Sequence, residues 1–88
     1  MSKSAAATRQ DRIVQIVSSL LAQRQRPGKP GPDEDLREAG LTSLDMVKVV
    51  LTLEQEFAAT IPEHAITPRN FRTITAIDQL MANLPSLQ

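Results

Sequence analysis

The segment EAGLTSLDMV, residues 38–47, places a glycine, a threonine and a serine directly before a run of apolar residues. Thr42 followed three positions later by Asp45 is a capping-box pattern, so a helix should open at Thr42. A serine in a first helical turn is ordinarily itself a cap. Here Thr42 can take that role, which leaves the hydroxyl of Ser43 spare. A phosphate ester on that hydroxyl would lie beside the unpaired amides and the positive dipole end of the helix. A structural cap and an attachment point are both open readings of Ser43 at this stage.

The helix that begins here should run to about Phe57, and it is apolar around most of its circumference. Met46, Val50, Leu53 and Phe57 fall at i, i+4, i+7 and i+11 and make one inward stripe. Leu44, Val47 and Leu51 make a second stripe on a neighbouring face. A bundle of 88 residues buries roughly 60–65% of its unfolded surface and has little with which to cover both stripes. An exposed apolar strip on a small domain usually marks a partner site. The competing expectation is that the loop at 27–41 folds over it.

Upstream, Thr8 and Asp11 repeat the capping pattern, and Ile13, Ile16, Val17, Leu20 and Leu21 recur at helical spacing. RPGKPGP at 26–32 ends that helix, because proline cannot continue it. A long connection follows to about residue 41. Within it DEDLREAG (33–40) offers one helical turn, Leu36 and Leu41 can anchor the chain, and Gly40 can reverse it. Downstream, Ile61 and Ile66 are candidate anchors. Thr67–Pro68 is a helix-start signal for a short element at 68–72. Thr73 should cap a last helix carrying Ile74, Ile77, Leu80, Met81 and Leu84, which stops before Pro85. The expected fold is all-α: a small bundle of three main helices and one short helix, with a long first loop. The expected domain spans 8–84, with tails at 1–7 and 85–88.

Composition narrows the chemistry. With no Cys and one His, His64, the chain offers neither a thiolate zinc site nor a serine–histidine triad, and His64 is expected at the surface. Two Phe, no Tyr and no Trp leave little on which to stack bases, and a net charge of zero disfavours a phosphate-backbone binder. No run approaches the eighteen apolar residues of a membrane span, and MSKSAAATRQ lacks the apolar core of a secretion signal. A soluble, cytoplasmic, monomeric protein without nucleic-acid or membrane partners is therefore expected. The neutral total conceals a net −6 over residues 31–63 and +6 over the rest, an asymmetry suited to a partner-facing surface.

AGLTSLDMVKVVLTLEQEFAATIP, residues 39–62, resembles the core of the acyl carrier protein family, including the aminoacyl and peptidyl carrier domains. Gly40, Ser43, Leu44 and Asp45 match the family's attachment motif in place. LEQEF at 53–57 with Ile61–Pro62, and TITAIDQLM at 73–81, match later landmarks, so the resemblance spans about residues 9–84. It implies a four-helix bundle of acyl-carrier type bearing a covalent 4′-phosphopantetheine on Ser43. It also implies a phosphopantetheinyl transferase that uses coenzyme A and magnesium, an acyl or aminoacyl ligase, and downstream transferases or synthases as partners. Function would be transport of a thioester-linked acyl or aminoacyl group, not catalysis. Leu44, Val47, Lys48 and Leu51 would form the docking surface.

Two departures separate the chain from fatty-acid carriers. Thr42 stands where Asp often precedes the serine, and Lys48 and Gln55 stand where Glu is usual. TPRNFRTI at 67–74 is similar to small standalone carriers of amino acids or specialised acyl groups. The alternative is an interaction module with this fold and no cofactor, gripping one partner through Leu44, Val47 and Leu51.

Overall fold

The computed structural model describes residues 8–23 and 29–84. Three helices carry the fold: α1 (Arg9–Gln23), α2 (Ser43–Phe57) and α3 (Ile74–Asn83), with one 3₁₀ turn at Glu63–Ala65. The expected tails at 1–7 and 85–88 lie outside the described residues, as does the start of the 26–32 break. Among the described residues there is no strand, and the architecture is the all-α one expected.

Each main helix starts where its cap residue stands. The Thr8 hydroxyl accepts the Asp11 N–H at 3.0 Å and the Asp11 carboxylate accepts the Thr8 N–H at 3.2 Å. Thr73 caps α3 by accepting the Ala76 N–H at 3.0 Å. The α2 helix ends at Ala58, whose left-handed φ of 51° turns the chain away while the Ala59 N–H reaches back to the Glu54 carbonyl.

The core is one cluster. Ile13, Val17 and Leu21 of α1 meet Val49, Val50 and Leu53 of α2 and Ile74, Ile77 and Met81 of α3, with Leu36, Leu41, Ile61 and Phe71 from the connections. Ile16 and Leu20 only flank this cluster. The inward face of α2 is also rotated from the expected stripe. Val49 is fully buried, whereas Met46 and Phe57 are half-buried. The reason lies on α1: Arg12 sits 4.4 Å from the centre of the Phe57 ring and holds Glu56 at 2.8 Å. A guanidinium thus covers the ring where an apolar neighbour was expected. One turn before Arg12, the Arg9 guanidinium bonds Asp78 of α3 at 2.6 Å, which raises the arginine pKa above its ordinary value.

The long first loop is ordered by backbone bonds. One helical turn closes from the Ala39 N–H to the Asp35 carbonyl, as expected for DEDLREAG. Gly40 then takes φ 116°, its N–H bonds the Arg37 carbonyl, and the Leu41 N–H bonds the Leu36 carbonyl. This pairing of bonds is the helix-ending motif that a left-handed glycine permits. The loop is tied to the start of α3 at two places: Leu36 N–H to the Arg72 carbonyl at 2.8 Å, and Thr75 N–H to the Pro32 carbonyl at 2.9 Å. The Thr75 hydroxyl adds a second bond to Pro32.

Residues 68–72 correct the sequence expectation, forming a turn and no helix. Thr67 does give the start signal, its hydroxyl accepting the Asn70 N–H. Burial of Phe71 and capture of the Arg72 carbonyl by Leu36 then draw the chain off the helical path.

Candidate functional site

Ser43 is the first residue of α2, and the cap preceding it is complete without it. The Thr42 hydroxyl accepts the Asp45 N–H at 3.1 Å, and Asp45 Oδ2 accepts the Thr42 N–H at 3.1 Å. Asp45 is buried, 2% exposed, so its carboxylate locks this turn against the core. Ser43 is exposed, and its hydroxyl makes no hydrogen bond among the described residues. Its own amide and that of Leu44 have no carbonyl one turn back, as at any helix start. A hydroxyl is thereby presented at an N–H-rich, dipole-positive end, where a phosphate group is electrostatically favoured.

From this point an apolar strip runs along the outer face of α2. Leu44, Val47 and Leu51 are 63%, 50% and 56% exposed, so the loop at 29–41 does not cover them. Lys48 is exposed on the same side. The structure therefore brings Ser43, Leu44, Val47, Lys48 and Leu51 onto one helix face. His64 is exposed in the 3₁₀ turn, and among the described residues no cluster of three or more His, Cys, Asp or Glu could hold a metal ion. No described helix is long and apolar enough to cross a membrane.

The family profile described as "Phosphopantetheine attachment site" matches residues 11–84, which take in α1 from its third residue, α2 with Ser43, and α3. The chain belongs to the phosphopantetheine-attachment family. Two aminoacyl carrier proteins of Bradyrhizobium diazoefficiens are similar along most of their length. Aminoacyl carrier protein 1 is 37% identical over 71 residues, covering 81% of this chain and 79% of that protein. Aminoacyl carrier protein 2 is 35% identical over 74 residues, covering 84% and 83%.

Solved structures give the same family. A chain in the crystal structure of Bradyrhizobium japonicum glycine:[carrier protein] ligase complexed with its cognate carrier protein and a glycyl-adenylate analogue superposes with a TM-score of 0.69. It is 36% identical, covering 83% of this chain and 95% of that one. A second structure, of the ligase with glycylated carrier protein, gives 0.68 at 37% identity, covering 81% and 96%. The protein is a phosphopantetheine-bearing carrier with the acyl-carrier fold.

The first turn of α2 fits that group: an accessible hydroxyl, a cap that does not need it, and free amides beside it. Sequence reasoning missed how completely Asp45 is withdrawn into the turn. The capping pattern was the available signal, since a carboxylate that reaches back to an N-cap amide must lie along the helix start. Asp45→Ala should cost about 1–2 kcal/mol through loss of the cap. Thermal melts should show a lowered Tm, and phosphopantetheinylation should slow because the serine-bearing turn frays. A melt equal to wild type would mean that the cap contributes nothing.

Proposed function

We propose that this carrier holds an aminoacyl group and that Ser43 is the residue bearing its arm. The observation that carries the reading is an exposed, unbonded serine hydroxyl at the start of α2, directly after a cap that Thr42 and Asp45 complete between them. When attached, 4′-phosphopantetheine supplies the terminal thiol that this Cys-free chain lacks, on which cargo is held as a thioester. Ser43 fixes the origin of the arm, and the free amides of the first turn stabilise the phosphodiester. Leu44, Val47 and Leu51, starting one residue from the attachment point, give partner enzymes an apolar grip that keeps the arm at their active-site mouth. Tethering raises the effective concentration of cargo at each docked enzyme. The partners on this reading are a phosphopantetheinyl transferase, an amino acid:carrier protein ligase and an enzyme that takes the aminoacyl group onward, with the chemistry residing in them. Support for the aminoacyl class comes from the two carrier proteins and the ligase complexes it resembles.

The test is loading. Phosphopantetheinylated protein incubated with ATP, an amino acid and an amino acid:carrier protein ligase should gain one aminoacyl mass, removable by hydroxylamine. Loading by short acyl donors but by no amino acid would move the cargo to the acyl class. Leu51→Glu should reduce the loading rate by about 10-fold or more, since a carboxylate would be desolvated in the middle of the grip. Helical content and Tm should stay close to wild type because Leu51 contacts solvent. Normal loading of Leu51→Glu would place the docking surface elsewhere.

A further inference from the structure

The charge on the docking face differs from what the sequence of α2 suggests. The helix has three acids, Asp45, Glu54 and Glu56, against one base, Lys48, and it sits in the acidic middle of the chain. The fold gives each of the three acids a partner within the chain, although Glu56 stays exposed. Asp45 is buried in the cap, with Oδ2 on the Thr42 N–H. Glu54 Oε2 accepts the Ile61 N–H at 2.8 Å, pinning the chain that leaves α2. Glu56 Oε2 is held by Arg12 Nη2 at 2.8 Å and Nε at 3.3 Å.

Lys48 is the exposed base beside the strip, whereas the exposed Glu56 is paired with Arg12. It follows Val47 by one residue, lies one turn beyond Leu44 and precedes Leu51 by three positions. Among the described residues its ammonium makes no ion pair. Gln55, one turn beyond Leu51, is exposed and neutral. In the preceding loop the exposed Arg37 and Glu38 offset one another, Glu34 accepts the Gly31 N–H, Asp35 stands 3.8 Å from Arg72, and Asp33 is exposed.

We propose that the Leu44–Val47–Leu51 strip is a docking surface with a base, Lys48, on its rim one turn beyond the phosphodiester end of the helix, and that its occupant is an aminoacyl ligase presenting an apolar patch with a carboxylate placed to meet that base. The proposal rests on the reading of the strip as the docking face and adds the sign of the charge that the partner carries. Charges at the rim act mainly on the rate of encounter and on its salt dependence. A single exposed base gives a modest effect, about three-fold in rate at low salt. It also discriminates against partners with basic rims, since like charges brought together at an interface are costly.

The experiment measures kcat/KM for loading of the phosphopantetheinylated chain by the glycine:[carrier protein] ligase of Bradyrhizobium, at low and high ionic strength. Wild type should load more slowly as salt rises, Lys48→Arg should behave like wild type, and Lys48→Glu should lose or invert the salt slope. An unchanged slope in Lys48→Glu, or wild-type loading that quickens with salt, overturns the assignment of charge. Leu51→Glu, run beside them, separates the two readings. Slow loading of that variant keeps the strip as the docking face whatever Lys48 does. Loading at the wild-type rate removes the strip and this proposal with it. Circular dichroism of each variant confirms that the helices are intact.

Discussion

Co-expressed with a broad-specificity phosphopantetheinyl transferase, the wild-type chain should gain the mass of one phosphopantetheine, and Ser43→Ala should gain none. The expectation is all-or-none because the other described hydroxyls are poorly placed. Those of Thr8, Thr42, Thr67 and Thr73 accept amide hydrogens as caps. Those of Ser19, Thr52 and Thr75 donate to the carbonyls of Gln15, Lys48 and Pro32. The Ser18 oxygen is buried within the bundle, and Thr60 is exposed but stands at no helix start. The variant should remain folded, within about 1 kcal/mol of wild type, because Thr42 is the cap and Ser43 is not. Loss of modification would then be chemical in origin. An unmodified wild type, or a modified Ser43→Ala, would end the assignment of this residue.

The second large effect is on stability. Leu53 is fully buried at the centre of the cluster where α2 meets its neighbours. Truncation to Ala should cost about 2–5 kcal/mol, the lost transfer energy plus that of the cavity left behind. Against a total of about 5–10 kcal/mol for a small domain, that lowers Tm by more than about 10 °C and brings the chain close to unfolding at ambient temperature. Phe57→Ala makes the contrast. Although Phe is the larger side chain, this one is half-buried beneath the Arg12 guanidinium, so its removal should cost less than that of Leu53. Paired thermal melts decide it. A Leu53→Ala melt that matches wild type would mean the inward face of α2 is wrongly placed.

Much of this arrangement was legible in the sequence where the information is local. Thr8, Thr42 and Thr73 announce the three helix starts, and Thr42 with Asp45 shows that Ser43 is spare. Leu36, Leu41 and Ile61 were readable as anchors because each is an apolar residue in an otherwise polar connection, and all three are buried. What could not be read depends on partners distant in sequence. The α2 helix is apolar on several faces, so its period does not specify which face turns inward. That choice is made by packing against α1, and Arg12, which covers Phe57, lies 45 residues before it. The turn at 68–72 has a sound start signal, and its departure from the helix is set by Leu36, far upstream. The engagement of Glu54 and Glu56 was hidden for the same reason: composition counts a carboxylate without showing which amide or guanidinium holds it.

The two ties between the first loop and the start of α3 bear on when the chain acquires its modifiable form. Pro32 and Thr75 are 43 residues apart, and Leu36 meets Arg72 across a similar span. Closing such spans costs chain entropy before any contact repays it, so they belong late in the order of assembly. The serine leaves the ribosome well ahead of the residues that fix the loop leading to it. A transferase that recognises the folded turn would therefore act on chains whose first loop is already tied to α3 and pass over shorter nascent ones, and attachment of the arm would be coupled to the folding of the domain that carries it.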